Sequence, residues 1–201
     1  MFDARLRRIV DPVLLRAAIP LARRGVHADH VTGVSLVIGI ACAAAVATGA
    51  FPLALALLAI SRISDGLDGV VASLTRRTPR GGFLDIVSDF AFYGAVPFGF
   101  ALWDPGLNAL SASFLLFAFY VNGATFLAYA AVAARQGHTD EPRGPKSIHY
   151  TAGLAEGGET IAVFAMMMLW PAVFPSLAWG FGALCLVSAS ARVLIAWRAF
   201  P

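Results

Sequence analysis

The stretch Asp65-Gly-Leu-Asp-Gly-Val-Val-Ala72 carries two carboxylates late in one apolar segment, and Gly82-Phe-Leu-Asp-Ile-Val-Ser-Asp89 carries two more early in the next. Ionisable side chains inside apolar segments are costly and usually mark function. Spacings of three and four residues put each pair on one face of a helix. Because a short connection joins the two segments, the four aspartates are predicted to converge at one end of a helical bundle.

The segments around these stretches belong to a chain that is apolar over most of its length. Of its 201 residues, 59% are hydrophobic and 13% are charged, whereas a soluble domain carries about 25% charged residues. A membrane span needs about 20 apolar residues, and the segments that qualify are 31–50, 52–75, 82–103, 109–134, 151–172 and 175–198. All six are predicted to be helices, because unpaired backbone groups in lipid are too costly for open strands.

The basic residues favour one orientation of these spans. An arginine-rich stretch, 1–27, precedes the first span and is predicted to form an amphipathic juxtamembrane helix. The other basic residues outside the spans lie in alternate connections or at the C-terminal end, at Arg76, Arg77, Arg80, Arg135, Arg143, Lys146 and Arg198. By the positive-inside rule this side is cytoplasmic, and so are both termini. The expectation is one domain, 1–201, with a six-helix bundle over 28–201.

Four carboxylates in a low-dielectric site repel one another, so a cation must neutralise them. Arg62 precedes Asp65 by three residues and is predicted to pair with it, but one arginine cannot balance four acids. Hard divalent cations prefer oxygen ligands, which favours Mg²⁺ or Mn²⁺. The alternative is a set of salt bridges that also uses the loop arginines Arg76, Arg77 and Arg80.

The glycines beside the aspartates allow a ligand or another helix to approach the backbone closely. A cleft lined by glycines such as Gly66, Gly69, Gly81 and Gly82, next to a metal held by carboxylates, suits a diphosphate. Helix–helix packing explains Gly66 or Gly81 equally well.

The two stretches resemble the signature of the CDP-alcohol phosphatidyltransferases. That signature reads D-x-x-D-G-x-x-A-R, then eight or nine residues, then G-x-x-x-D-x-x-x-D. Eight residues separate Ser73 from Gly82 here, and Ser73 stands where the family has arginine. The family's Pro-Asn pair before the first span is Ala28-Asp29 in this chain, whereas the threonine that follows it is kept as Thr32. The resemblance covers the whole chain and implies six membrane helices preceded by a juxtamembrane helix.

The resemblance also implies a reaction in phospholipid biosynthesis. A CDP-linked lipid, typically CDP-diacylglycerol, gives its phosphatidyl group to an alcohol and releases CMP. Asp65, Asp68 and Asp85 would hold one metal ion, and Asp85 and Asp89 would help to hold a second. Asp89 would also be the base that takes the acceptor proton. The residues implied on the nucleotide side are Gly69, Ala72, Gly82 and Thr32, and the family resemblance further implies a homodimer.

The acceptor is predicted to meet the basic connection 135–150, which lies on the same side as the aspartates. Arg143 and Lys146 are candidates to bind a phosphate of the acceptor, although anionic lipid is an equally good partner for them. Glu156 and Glu159 are candidates to hydrogen bond a polyol or amino-alcohol acceptor, or to pair with those two cations. The expected partners are the two substrates and membrane lipids, and no nucleic acid.

Two other functions compete with the enzyme. A divalent-cation transporter would place polar residues near the bilayer midplane in several helices. The aspartates of this chain instead cluster at one side, which favours the enzyme. A scaffold that oligomerises through its Gly- and Ala-rich faces leaves the aspartates unexplained. The expected location is the bacterial inner membrane, with the active site facing the cytoplasm.

Overall fold

The computed structural model describes residues 2–135 and 157–200, and the regular structure in these ranges is helical, as predicted. The elements are α1 (Phe2–Arg23), α2 (Ala28–Ala47), α3 (Phe51–Leu74), α4 (Pro79–Trp103), α5 (Pro105–Arg135), α6 (Gly157–Leu169), a 3₁₀ turn (Pro171–Val173) and α7 (Phe174–Ala199). Contacts divide the chain into two compact units, Met1–Pro105 and Gly106–Pro201.

Within the described ranges, four stretches are long and apolar enough to cross a membrane, namely α2, α4, α5 and the 3₁₀ turn together with α7. Helix α3 has 24 residues and carries Arg62, Asp65 and Asp68. Helix α6 has 13 described residues, and the start of the fifth predicted segment lies outside the described ranges. A total of six spans, the juxtamembrane role of α1 and a single domain over 1–201 stay predictions.

The connections that precede α3 and α4 are short, and nearby residues determine where each helix ends or begins. Gly49 ends α2 with a φ of 75°, a backbone conformation that glycine adopts without strain, and α3 begins two residues later. Thr78 caps α4, because its Oγ1 accepts a hydrogen bond from the Gly81 amide at 3.0 Å. Pro79 follows at the first helical position, where its missing N–H leaves no bond unmade. Asp85 therefore lies about two turns into α4.

Small polar residues join α2 to α3. Ser35 Oγ donates to the carbonyl of Ser61, and Ser61 Oγ donates to the carbonyl of Ser35, both at 2.9 Å. Cys42 Sγ, which is buried and not in a disulfide, donates to the carbonyl of Ala54 at 3.2 Å. Such bonds are typical of helix contacts in membranes, where small residues let two backbones come close. These bonds fix the register of α3 along α2.

Helix α4 also lies very close to α2. A Cβ added at Gly99 would lie 2.6 Å from the carbonyl oxygen of Ala43 and 3.3 Å from Cβ of Val46. Because Ala43 contributes backbone, the contact cannot be relieved by a rotamer change. The helices approach at this distance only because residue 99 has no side chain.

Gly99→Ala is expected to lower the stability of the folded protein by about 1–3 kcal/mol, since overpacking forces backbone shifts of this cost. Gly180→Ala is the matched control, because a Cβ there has no described atom within 4 Å and alanine is the better helix former. Thermal unfolding of both variants in detergent micelles measures the difference. Equal midpoints for the two variants would contradict the close approach of α2 and α4.

The second unit has its own packing, and its described part includes an arginine that is hydrogen bonded within the helices. Phe114 of α5 stacks on Trp179 of α7, with ring centroids 4.1 Å apart. Arg192 of α7 donates through Nη1 to the Asn122 carbonyl at 2.9 Å, to Asn122 Oδ1 at 3.1 Å and to Thr125 Oγ1 at 2.9 Å. These bonds satisfy a charged group within an apolar helix.

Candidate active site

Three carboxylates converge where the end of α3 meets the start of α4. Asp65, Asp68 and Asp85 each offer one oxygen, and these three oxygens lie within 4.8 Å of one another. The convergence predicted from the sequence is confirmed for these three residues. Three carboxylate oxygens at this separation suit a hard divalent cation such as Mg²⁺ or Mn²⁺, so the donor set fits the metal that the sequence predicted.

Asp68 is the most buried member of this cluster, with 6% of its surface exposed. Its Oδ2 accepts a hydrogen bond from Oγ1 of Thr32 at 2.5 Å. Thr32 lies in the second turn of α2 and is itself 4% exposed. Helix α2 therefore orients a carboxylate of α3, a contact between residues 36 positions apart in the chain that sequence spacing did not predict.

Asp89 is not one of these three converging residues, and it contacts an arginine. Nη1 of Arg62 is 2.9 Å from Oδ1 of Asp89 and 3.4 Å from Oδ2 of Asp65. The predicted pairing of Arg62 with Asp65 is confirmed, and the shorter contact with Asp89 was not predicted. Arg62 thus links Asp89 to the cluster through a cation that belongs to the chain.

A cavity of about 340 Å³ adjoins the cluster in the first unit. It is bounded by the start of α2, the end of α3 and the start of α4, and both Asp68 and Asp85 reach it. The residues predicted on the nucleotide side all line it, namely Thr32, Gly69, Ala72 and Gly82. A Cβ added at either of these glycines would have no described atom within 4 Å, so both backbones are open to a ligand.

The loop arginines have two different environments. Arg76 and Arg77 line the cavity. Arg80 is mostly exposed and donates through Nε, at 2.8 Å, and Nη2, at 2.5 Å, to Oδ2 of Asp29. Asp29 also lies against Gly81, where a Cβ would be 3.1 Å from its Oδ1. Among the described contacts, it is Arg62 that pairs with the aspartates of the motif, whereas Arg80 has a different partner.

The residues predicted on the acceptor side lie mostly outside the described ranges. Arg143, Lys146 and Glu156 are in the part of the chain that is not described. Glu159 lies in the first turn of α6, in the second unit, and is half-buried.

One charged residue in that unit was not predicted to matter. Arg192, described above, also borders a mainly apolar cavity of about 320 Å³ lined by Tyr129, Trp197 and Phe200. The available signal was a lone arginine inside an otherwise apolar segment.

Comparisons with known proteins agree with the site. A family model described as CDP-alcohol phosphatidyltransferase matches residues 26–197. The inner membrane protein YnjF of Escherichia coli (strain K12) is 42% identical over 193 residues, which are 96% of this chain and 94% of YnjF. The archaetidylinositol phosphate synthase of Methanothermobacter thermautotrophicus is 37% identical over 95 residues, covering 47% of this chain and 45% of that enzyme.

The fold is also found in solved structures. The Mycobacterium tuberculosis phosphatidylinositol phosphate synthase (PgsA1) with CDP-DAG bound has a TM-score of 0.68 and 20% identity, covering 92% of this chain and 94% of that one. The same enzyme in complex with manganese and citrate has a TM-score of 0.62 and 18% identity, with 92% and 88% covered. At these identities the likeness shows the fold.

A helical membrane protein with this motif and this cluster of carboxylates is a phospholipid-synthesising transferase. The chain belongs to the CDP-alcohol phosphatidyltransferase family. Membership of this family identifies the protein as an enzyme and excludes the alternative that it is a divalent-cation transporter.

Proposed function

We propose that the enzyme transfers the phosphatidyl group of CDP-diacylglycerol, or of a similar CDP-linked lipid, to an alcohol and releases CMP. The observation that carries this proposal is the convergence of Asp65, Asp68 and Asp85 beside a cavity lined by Gly69 and Gly82. The likeness to a synthase whose structure has CDP-DAG bound supports the choice of donor.

The proposed cofactor is Mg²⁺ or Mn²⁺, held by Asp65, Asp68 and Asp85. A divalent ion supplies neutralisation of the diphosphate and stabilisation of the charge that develops on the leaving CMP. The likeness to a synthase in complex with manganese supports this choice. The family resemblance also implies a second ion at Asp85 and Asp89.

Asp89 is the proposed base. Its carboxylate takes the proton of the acceptor hydroxyl, and the acceptor oxygen forms a bond to the phosphorus that carries the lipid. The anhydride bond between that phosphorus and CMP breaks, and CMP leaves with the bonding electrons. Arg62 holds Oδ1 of Asp89, so Oδ2 is the atom assigned to receive the proton. A carboxylate within hydrogen-bond reach contributes as a general base.

We assign the binding of the nucleotide part of the donor to the cavity beside Asp68 and Asp85. The open backbones at Gly69 and Gly82 admit a diphosphate, while Thr32 and Ala72 bound the same space. The chain has no arginine at the motif position, Ser73, and the two arginines three and four residues further on line the cavity instead. We therefore assign the contact with the nucleotide phosphates to Arg76 and Arg77.

The acceptor is proposed to be a phosphorylated alcohol. Two relatives with named products, from Methanothermobacter and Mycobacterium, are synthases of inositol phosphate lipids. The basic residues Arg143 and Lys146 suit the acceptor phosphate, and Glu156 and Glu159 suit its hydroxyl groups.

The protein is proposed to cross the bacterial inner membrane six times, with both termini and the aspartates on the cytoplasmic side. The distribution of arginine and lysine among the connections supports this orientation, and the relative YnjF is named as an inner membrane protein. A homodimer is proposed from family resemblance.

The purified protein, incubated with CDP-diacylglycerol, Mn²⁺ or Mg²⁺ and a panel of free and phosphorylated alcohols, is expected to release CMP. Release is expected to require the divalent ion, to stop with EDTA, and to be fastest with a phosphorylated alcohol. CMP is quantified by chromatography, and the lipid product by mass spectrometry. Failure to release CMP with every acceptor, water included, would contradict the proposed function.

A further inference from the structure

Arg62 lies inside the candidate active site, and the catalytic steps proposed above do not use its charge. It belongs to α3, and its side chain is 13% exposed. Nη1 lies between two carboxylates, 2.9 Å from Oδ1 of Asp89 and 3.4 Å from Oδ2 of Asp65. The guanidinium therefore neutralises charge at the point where Asp89 approaches the cluster.

The guanidinium is held in this position by further contacts. Nη2 donates to Oγ of Ser61 at 3.2 Å, and Cζ lies 4.2 Å from the ring centroid of Phe92, a distance typical of a cation–π contact. Phe92 is fully buried and rests on Gly39, where a Cβ would be 2.8 Å from the ring. Residues of α2, α3 and α4 thus all help to hold the Arg62 guanidinium in position.

The position of Arg62 bears on how many metal ions the aspartates hold. The two ions of a two-metal site are about 3.5–4 Å apart and share ligands. Asp65, Asp68 and Asp85 form one group of converging oxygens, whereas Asp89 directs Oδ1 to the guanidinium. A second divalent ion on Asp89 would have to share this carboxylate with Arg62, and like charges at such distances repel.

We infer that the Arg62 guanidinium takes the place of a second metal ion, so that the enzyme holds one divalent ion, at Asp65, Asp68 and Asp85. This inference rests on the proposed function and replaces its second ion. The four aspartates carry at most four negative charges, and one guanidinium together with one divalent ion supplies three positive charges. Arg62 is thus a positioning residue that fixes Asp89 as a base.

Counting Mn²⁺ on the purified full-length protein tests the inference. Equilibrium dialysis is expected to find one tightly bound Mn²⁺ per wild-type chain, with the electron paramagnetic resonance spectrum of an isolated ion. Arg62→Gln removes the cation and is expected to bind two ions, with a spectrum broadened by coupling between neighbouring ions. Arg62→Lys keeps a positive charge and is expected to bind one. Arg24→Gln, an exposed arginine outside the site, is the matched control and is also expected to bind one.

A further variant keeps the test decisive if Arg62→Gln does not fold. Asp89→Asn is expected to keep one Mn²⁺, because Asp89 is not a ligand under this inference. A wild-type chain that binds two ions, an Arg62→Gln chain that binds one, or an Asp89→Asn chain that loses an ion overturns the inference. If the wild-type chain binds two ions and releases CMP, only the role of Arg62 is overturned. If it binds no Mn²⁺ and releases no CMP, the proposed function itself is overturned.

Discussion

Asp85→Asn is expected to reduce the rate of CMP release by at least about 10³-fold, which corresponds to about 4 kcal/mol of transition-state stabilisation. The substitution removes one charged oxygen from the three that converge within 4.8 Å, and a neutral amide is a poorer ligand for a hard cation. In the proposed reaction a divalent ion would stabilise the charge on the leaving CMP, so losing the ion would affect the chemical step directly. CMP release and Mn²⁺ affinity are measured on the same preparation.

Asp104→Asn is the matched control for this variant. It makes the same chemical change in the residue that directly follows α4, at the opposite end of the helix from Asp85. Turnover and Mn²⁺ affinity are expected to stay close to those of the wild type. If Asp85→Asn kept wild-type Mn²⁺ affinity, the assignment of Asp85 as a metal ligand would be wrong.

Asp89→Asn is expected to lower kcat by about 10²–10⁴-fold, the usual contribution of a general base. Asparagine keeps the size of the side chain and a carbonyl oxygen for Arg62, but it cannot take up the proton of the acceptor hydroxyl. Mn²⁺ binding is expected to persist, in contrast with Asp85→Asn. The measurements are kcat with saturating acceptor and Mn²⁺ binding by equilibrium dialysis.

The pattern across these two variants separates their roles. A fall in kcat with Mn²⁺ retained identifies a base, whereas a fall in both identifies a ligand. Wild-type turnover in Asp89→Asn would remove Asp89 as the base. Thermal unfolding serves as a check of folding, because Asp89 is an ion-pair partner of the mostly buried Arg62.

The convergence of Asp65, Asp68 and Asp85 could be predicted because it depends on local features. Helical spacing puts residues three or four apart on one face, and a short connection makes α3 and α4 neighbours. The same spacing predicted the contact of Arg62 with Asp65. These predictions require only the helical periodicity of the sequence and the length of one loop.

The contacts that were not predicted depend on how whole helices are rotated and shifted. Thr32 meets Asp68 in the register of α2 against α3 that the reciprocal bonds of Ser35 and Ser61 also hold. Arg62 reaches Asp89 because α4 presents that residue toward α3. Sequence periodicity assigns a residue to a face of its helix, but the packing of side chains such as Phe92 decides which partner that face meets.

The cap at Thr78 has a consequence for changes in chain length near the site. Because the cap and Pro79 set where α4 begins, each residue after them has a fixed angular position around the helix axis. Inserting one residue between the cap and Asp85 would turn Asp85 by about 100° and carry its carboxylate out of the cluster. An insertion before the cap would lengthen only the connection and leave the angular position of Asp85 unchanged. The family signature allows eight or nine residues at this point, and the connection 75–77, between the end of α3 and the cap, is where one more residue fits without disturbing the aspartates.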